Sequence, residues 1–377
     1  MIYFYITFFV AAFLFSFLIN ALFLRFSHTL GIRDNKETVI RWASTSKPAL
    51  GGISFYIVFL ISLASYSMFF EAQEVLWNKK VVGLLGTATL AFMMGLSDDA
   101  YNTKPLLKLF IQILCGTILC FSGIHIGIFS DMFLNYMLTI LWIVGIMNSV
   151  NMIDNMDAIA TIVSIFIFST AGMLIYFSGN HSNIHFLMLI GLVGSLGGFL
   201  IFNWNPSRLY MGDTGSQVIG LMLAAMGIIY FWNDSTSFSN SISISKQLLV
   251  VITAFILPVT DTTIVVINRL SKKSSPFVGG KDHTTHNLFY RGVTEKRIAL
   301  LFGTIGFVSM ALVDIMETKI TNWSIEYFSL FSIFPITVFF FLFAITKIKT
   351  NIINQETKKQ DVHSSKDLAK NAEKHLS

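Results

Sequence analysis

The chain has 377 residues, 54% of them hydrophobic and 12% charged, with 37 phenylalanines and a formal net charge of +5. Soluble globular domains carry roughly 25% charged residues, so half that share leaves too few charges to coat two or three soluble domains. A hyperstable soluble core, a nucleic-acid-binding protein and a disordered scaffold are all poor fits. The apolar residues come in runs of about 16–24, the length that crosses a hydrocarbon layer. The sequence reads as an all-α, polytopic integral membrane protein.

Eleven apolar segments follow in chain order, at approximately 2–24, 50–70, 81–96, 106–124, 133–150, 159–177, 186–202, 217–232, 247–267, 298–313 and 326–346. Their length and uniform apolarity point to helices rather than barrel strands, because backbone groups in lipid must be satisfied internally. The first segment lacks a basic n-region and reads as a retained span, not a cleaved signal. The third is short, so it is expected to be thin or to continue into its flanks. Cys115 and Cys120 share one apolar run and read as packing or lipid-side residues.

Of the 26 Lys and Arg, 22 lie in the loops after odd-numbered segments or in the tail; Lys79, Lys80, Lys246 and Lys319 lie on the other side. The positive-inside rule then puts the N-terminus outside and the C-terminus in the cytoplasm. Residues 1–346 form the membrane-embedded domain. Residues 347–377 are polar and basic, and read as a disordered or membrane-surface tail.

The acids are few and grouped. Asp98 and Asp99 close the third segment in GLSDDA, a helix C-terminus where the macrodipole disfavours anions. Asp154 and Asp157 lie in NSVNMIDNMDAIA with Asn148, Asn151 and Asn155. Asp213 lies in NWNPSRLYMGDTGS, and His283 and His286 in GGKDHTTHNLFYRG. All four groups fall on the cytoplasmic side of a topology drawn without them, which points to one composite site. Carboxylates and amide oxygens crowded at a membrane boundary suit phosphate chemistry with a hard divalent cation such as Mg²⁺. Gly212 and Gly215 allow close backbone approach around Asp213, and the helix that follows offers N–H groups to an anion. Asp157 is a candidate cap for the sixth segment. His283 and His286, near Lys281 and Arg291, suit a cationic phosphate pocket better than zinc. Asp261, inside the ninth segment, requires a buried partner or a substrate contact.

The ordered motifs SKPALGGI, GLSDDA, NSVNMIDNMDAIA, FNWNPSRLYMGDTGS, LPVTDTTIVVINRL and GKDHTTHNL resemble the polyprenyl-phosphate N-acetylhexosamine-1-phosphate transferase family, the MraY/WecA-like enzymes, over about residues 1–346. Two departures stand out: Ala158 where the family usually has Gly, and a sparser histidine run than the WecA-like branch usually carries. That branch is still the nearer one.

The resemblance implies a Mg²⁺-dependent enzyme, with Mn²⁺ as a substitute, in the bacterial cytoplasmic membrane with its site facing the cytoplasm. Its partners would be a UDP-N-acetylhexosamine, UDP-GlcNAc foremost, and undecaprenyl phosphate, with UMP released in the initiating step of envelope glycan synthesis. A homodimer is one assembly the resemblance allows. It also implies roles: Asp213 and Asn151 on the metal; Asp98 or Asp99 orienting or deprotonating the lipid phosphate, or assisting the metal; Asp154 and Asp157 on nucleotide and sugar. Tyr210 would stack the uracil and Lys47 would touch the nucleotide. Asn148 and Asp261 join the substrate-binding set, and His283 and His286 would hold the diphosphate with Lys281 or Arg291. The alternatives are the phospho-MurNAc-pentapeptide transferase of peptidoglycan synthesis and, from another class, a secondary transporter, which should place ionisable groups at the midplane.

Overall fold

A computed structural model describes residues 2–26, 47–70, 74, 77–233, 244–275 and 280–347. It is helical, with no strand among the described residues. The helices are α1 (Ile2–Phe26), α2 (Gly51–Phe69), α3 (Lys79–Tyr101), α4 (Pro105–Phe121), α5 (Met132–Ile153), α6 (Ile159–Phe177), α7 (Ile184–Asn203), α8 (Gly212–Gly227), α9 (Ile244–Ala254), α10 (Ile256–Ser271), α11 (Thr284–Phe289), α12 (Glu295–Thr318) and α13 (Ile325–Lys347), with a π-helical turn, Ile228–Trp232, extending α8.

Every apolar segment of the sequence falls on a helix. Among the described residues nine helices are long and apolar enough to cross a bilayer, counting α8 with its π turn, and α9–α10 makes a tenth if taken as one span. The remaining segment is α4, whose 17 residues reach about 25 Å. The third segment does continue into its flanks, since α3 is 23 residues long. The chain is a multi-pass membrane protein. The tail beyond Lys347 lies outside the described residues, as do the basic residues of the 27–46 loop.

The ninth segment departs from a plain span. α9 and α10 meet at 82°. Pro258, the third residue of α10, has no N–H to donate to the carbonyl four residues back, and its ring crowds that carbonyl. Phe255 fills the elbow, fully buried, with its ring 4.9 Å from Trp142 and 5.8 Å from Phe231. The broken pair still runs from one end of the bundle to the other. At its start Lys246 pairs with Glu317 at the end of α12, and Ser245 accepts from the Trp323 indole; at its finish Asn268 donates to Thr346 at the end of α13.

α8 is the axis of the bundle. From Thr214 to Gly227 every residue is buried, and with its π turn it is 94% buried, against 17% for α1 and 28% for α13. α2, α3, α5 and α6 surround it. Because α8 starts at Gly212, the burial of this one helix brings Asp213 to the meeting point of the surrounding helix ends.

Candidate active site

The site grows from the start of α8. Gly212 has φ +73°, a conformation that only glycine adopts without strain, and a Cβ added at Gly95 would lie 2.5 Å from the Asp213 carbonyl. Without side chains at these two positions, the end of α3 lies directly against the start of α8. Asp99 uses that proximity: its carboxylate accepts from the Asp213 N–H at 2.9 Å, the Thr214 N–H at 2.8 Å and the Thr214 hydroxyl at 2.6 Å. An acid at the unfavourable C-terminus of α3 is thereby set on the favourable N-terminus of α8. The N–H groups expected to await a substrate anion are already taken by Asp99.

Asp98 faces the same cluster through a different set of donors. It accepts from the Thr103 N–H (2.8 Å) and hydroxyl (2.6 Å) and forms an ion pair with Lys108. Lys108, in the first turn of α4, also reaches Asp213 Oδ1 at 3.4 Å, a bridging role for which it was not among the sequence candidates. Asn151 donates to Asp213 Oδ1 at 2.6 Å and to the Ser216 hydroxyl at 2.9 Å, so its amide oxygen remains available. Asp154, just past the end of α5, takes no hydrogen bond among the described residues. Burial, and then the carboxylates of Asp213, Asp99 and Asp157, push it well above the usual carboxylate range. Asp98, Asp99, Asp154 and Asp213 thus gather beside one ammonium group, which reaches two of them, Asp98 and Asp213.

Asp157 lies apart from this cluster. It accepts from Asn205 (3.0 Å), from the Ser207 N–H (2.9 Å) and from the Ser207 hydroxyl (2.7 Å), pinning the loop between α7 and α8. It does not cap α6. That part falls to Asn203, whose side-chain oxygen accepts from Ala158 N–H and the Thr161 hydroxyl. Ala158 stands at φ +68°, which accounts physically for glycine at this place in similar sequences. Lys47 donates to Ser207 at 3.1 Å and lies 5.1 Å from the centre of the Tyr210 ring. Burial and the neighbouring Asp157 push the Tyr210 phenol up to about 12. Asn148 is turned away, into an amide network with Gln112, which in turn donates to Gln217. Its contacts join α4, α5 and α8 behind the cluster.

The histidines form a second face. Asp261 accepts from His283 Nδ1 at 2.8 Å and from the N–H and hydroxyl of Thr284, the buried partners that an acid inside a span requires. His286 packs edge-on to His283, ring centres 5.5 Å apart. Burial and then His283 lower His286 to about 4, so it is neutral at pH 7 and brings no positive charge to the pocket. Arg269 grips Asp282 with two bonds of 2.8 and 2.7 Å, and against the pull of burial it holds that carboxyl below its usual range. This clamp was not among the sequence candidates, although Arg269 in a helix and Asp282 beside His283 were its visible signals. Arg291 donates to the Ile345 carbonyl of α13, and Lys281 is exposed. The two faces touch where the Thr285 hydroxyl donates to Asn155 at 2.6 Å, next to Asp154.

Residues 81–231 match the profile of the family described as glycosyl transferase family 4. The matched stretch contains Asp98, Asp99, Asn151, Asp154, Asp157, Tyr210 and Asp213 and ends before Asp261. The chain is 28% identical over 322 residues to a probable undecaprenyl-phosphate N-acetylglucosaminyl 1-phosphate transferase of Bacillus subtilis (strain 168), covering 82% of each chain. It is 29% identical over 224 residues to a phospho-N-acetylmuramoyl-pentapeptide-transferase of Streptococcus pneumoniae (strain Hungary19A-6), covering 55% of this chain and 66% of that one. Both relatives are named as transferases.

Proposed function

We propose that this protein transfers an N-acetylhexosamine-1-phosphate, GlcNAc-1-phosphate foremost, from a UDP-sugar to undecaprenyl phosphate at the cytoplasmic face of a bacterial inner membrane. The observation that carries the proposal is the cluster of Asp98, Asp99, Asp154 and Asp213 around Lys108, at one end of a helical bundle whose outer faces are apolar. Four carboxylates with one ammonium group form a site for a cation, and a cation makes it a site for phosphates. A phosphate oxygen of the lipid attacks the β-phosphorus of the UDP-sugar, a P–O bond forms, and the bond to UMP breaks with UMP taking the electron pair. One diphosphate linkage replaces another, so the step is near thermoneutral and rests on positioning and charge neutralisation.

The residues present fit Mg²⁺. The donors are hard oxygens, Asp154 has no hydrogen bond, and the Asn151 amide oxygen is available beside Asp213. Among the described residues no three Asp, Glu, His or Cys side chains gather as a complete cage. Waters and substrate phosphates would complete the shell of an ion held there. Asp213, Asp154 and Asn151 would hold it, and bound there it would neutralise the diphosphate. Lys108 orients Asp98 and Asp213, and Asp99 fixes the start of α8. The loop pinned by Asp157 sets Tyr210 and Lys47 on one side, where the aromatic ring suits the uracil. A transporter reading is disfavoured because Asp261, the acid inside a span, is engaged with His283 and Thr284 instead of lining a path.

The decisive experiment is the purified full chain with undecaprenyl phosphate, Mg²⁺ and a panel of UDP-sugars that includes UDP-MurNAc-pentapeptide, scored by UMP release. Release with UDP-GlcNAc is the expected result. Release with UDP-MurNAc-pentapeptide alone would move the protein to the peptidoglycan branch, and no release with any donor would overturn the proposal.

A further inference from the structure

The two oxygens of Asp261 do different work. Oδ1 accepts the N–H and hydroxyl of Thr284 at 2.9 and 2.6 Å, while Oδ2 meets His283 Nδ1 at 2.8 Å. Asp261 is 1% exposed and His283 5%, so both are shielded from competing water. A carboxylate has only acceptors, and this one already takes two donors on its other oxygen. The proton of the third bond therefore sits on Nδ1. Nε2, across the ring, faces away from Asp261 and has no hydrogen-bond partner among the described residues.

The neighbouring residues are fixed just as firmly. Arg269 holds Asp282 through two bonds, and Asn287 donates to the carbonyls of Asp282 and His283. Residues 282, 283 and 284 are thus each tied to α10 by a side chain of α10. The next residue, Thr285, rests on Asn155 beside the carboxylate cluster. A buried imidazole with one nitrogen bonded, the other open and its backbone clamped is prepared to meet one ligand atom in one direction.

We infer that Asp261 is a positioning residue: it takes the Nδ1–H of His283 and by its charge favours the imidazolium, whose Nε2–H donates to a phosphate oxygen of the bound nucleotide sugar, while Arg269 steadies the same segment through Asp282. The inference rests on the transferase reading for the identity of the ligand, and on the geometry of Asp261 and His283 for the rest. Partners that orient a functional histidine typically change activity about 10–100-fold when removed, and residues acting as one unit are non-additive.

The test has two arms. In the first, UMP release by full-chain wild type, Asp261→Asn, His283→Ala and the double variant is measured against UDP-GlcNAc concentration, with melting temperatures recorded. Asp261→Asn is expected to lower kcat/KM about 10–100-fold, and the double variant to match His283→Ala within about twofold. Multiplication of the two single losses in the double variant would overturn the inference. Thr284→Ala, which removes one bond to Asp261 and leaves the imidazole contact, should move the melting temperature more than kcat/KM. The second arm needs no turnover: the ¹⁵N spectrum of histidine-labelled wild type should show His283 protonated at Nδ1, with that state altered in Asp261→Asn. A bare Nδ1 in the wild type overturns the inference. An inactive wild type with the expected spectrum would overturn the transferase reading alone.

Discussion

The carboxylate face and the histidine face meet at Asn155, yet they follow opposite electrostatic plans. Around Asp213, four carboxylates gather beside Lys108, and Asp154 takes no hydrogen bond among the described residues. Around His283, Asp261 faces an imidazole and Asp282 faces Arg269. The first face is incomplete without added positive charge; the second is satisfied internally and holds its shape on its own. A site that would bind a cation on one side and aim a fixed hydrogen-bond donor from the other needs this asymmetry. Like charges close together repel strongly at low dielectric, whereas a paired acid and base preserve a fixed geometry.

The contrast can be broken at several points. The largest effect is expected from Asp213→Asn, which should lower UMP release on the order of 10³-fold while the melting temperature holds or rises, because one of four repelling charges is gone. Retention of full Mg²⁺-dependent activity would remove Asp213 from the metal. Lys108→Met should come next. With its one ammonium group lost, the carboxylate face should lose about 2–3 kcal/mol of stability in metal-free buffer, and added Mg²⁺ should restore much of it. A loss indifferent to divalent cations would show that Lys108 merely packs.

On the histidine face the handle is pH. His286 is lowered to about 4 by burial, below its unfolded value near 6.5. The unfolded chain therefore binds the proton more readily, and the stability from neutral His286 is present above about pH 6.5 and lost as pH falls toward 4. Thermal melts of His286→Gln should decline less over that window, by up to about 3 kcal/mol; parallel curves would contradict the shift. The smallest effect belongs to Ala158→Gly. Relief of the positive φ is offset by a lost buried methyl group and a freer unfolded chain, so the net change should stay within about 1 kcal/mol.

Much of the fold was legible because lipid imposes a simple rule: an apolar run long enough to cross must be a helix. The elbow at Phe255 was missed although Pro258 stood in view, since a proline three residues into a helix can either begin it or break it. The candidate site was legible as a set of acids and histidines gathered at one end. Their individual tasks were not, because these depend on partners remote in the chain. Asp99 meets Thr214 and Asp157 meets Ser207, and no local pattern announces either pairing. Asn148 and Asn151 sit one turn apart on α5, but one faces the amide network and the other Asp213.

By itself the sequence determined that the chain is a multi-span helical membrane protein, that its scarce charges are ordered by side, and which family its motifs resemble. All three follow from composition and spacing along the chain. Only the tertiary structure decided which acids remain available. Asp99 is bound into the start of α8, Asp157 into a loop, Asp261 onto His283 and Asp213 to Asn151 and Lys108, while the Asp154 carboxylate accepts no hydrogen bond among the described residues. A carboxylate's chemistry is set by the donors and charges within a few ångströms of it, and in a helical bundle those come from other helices.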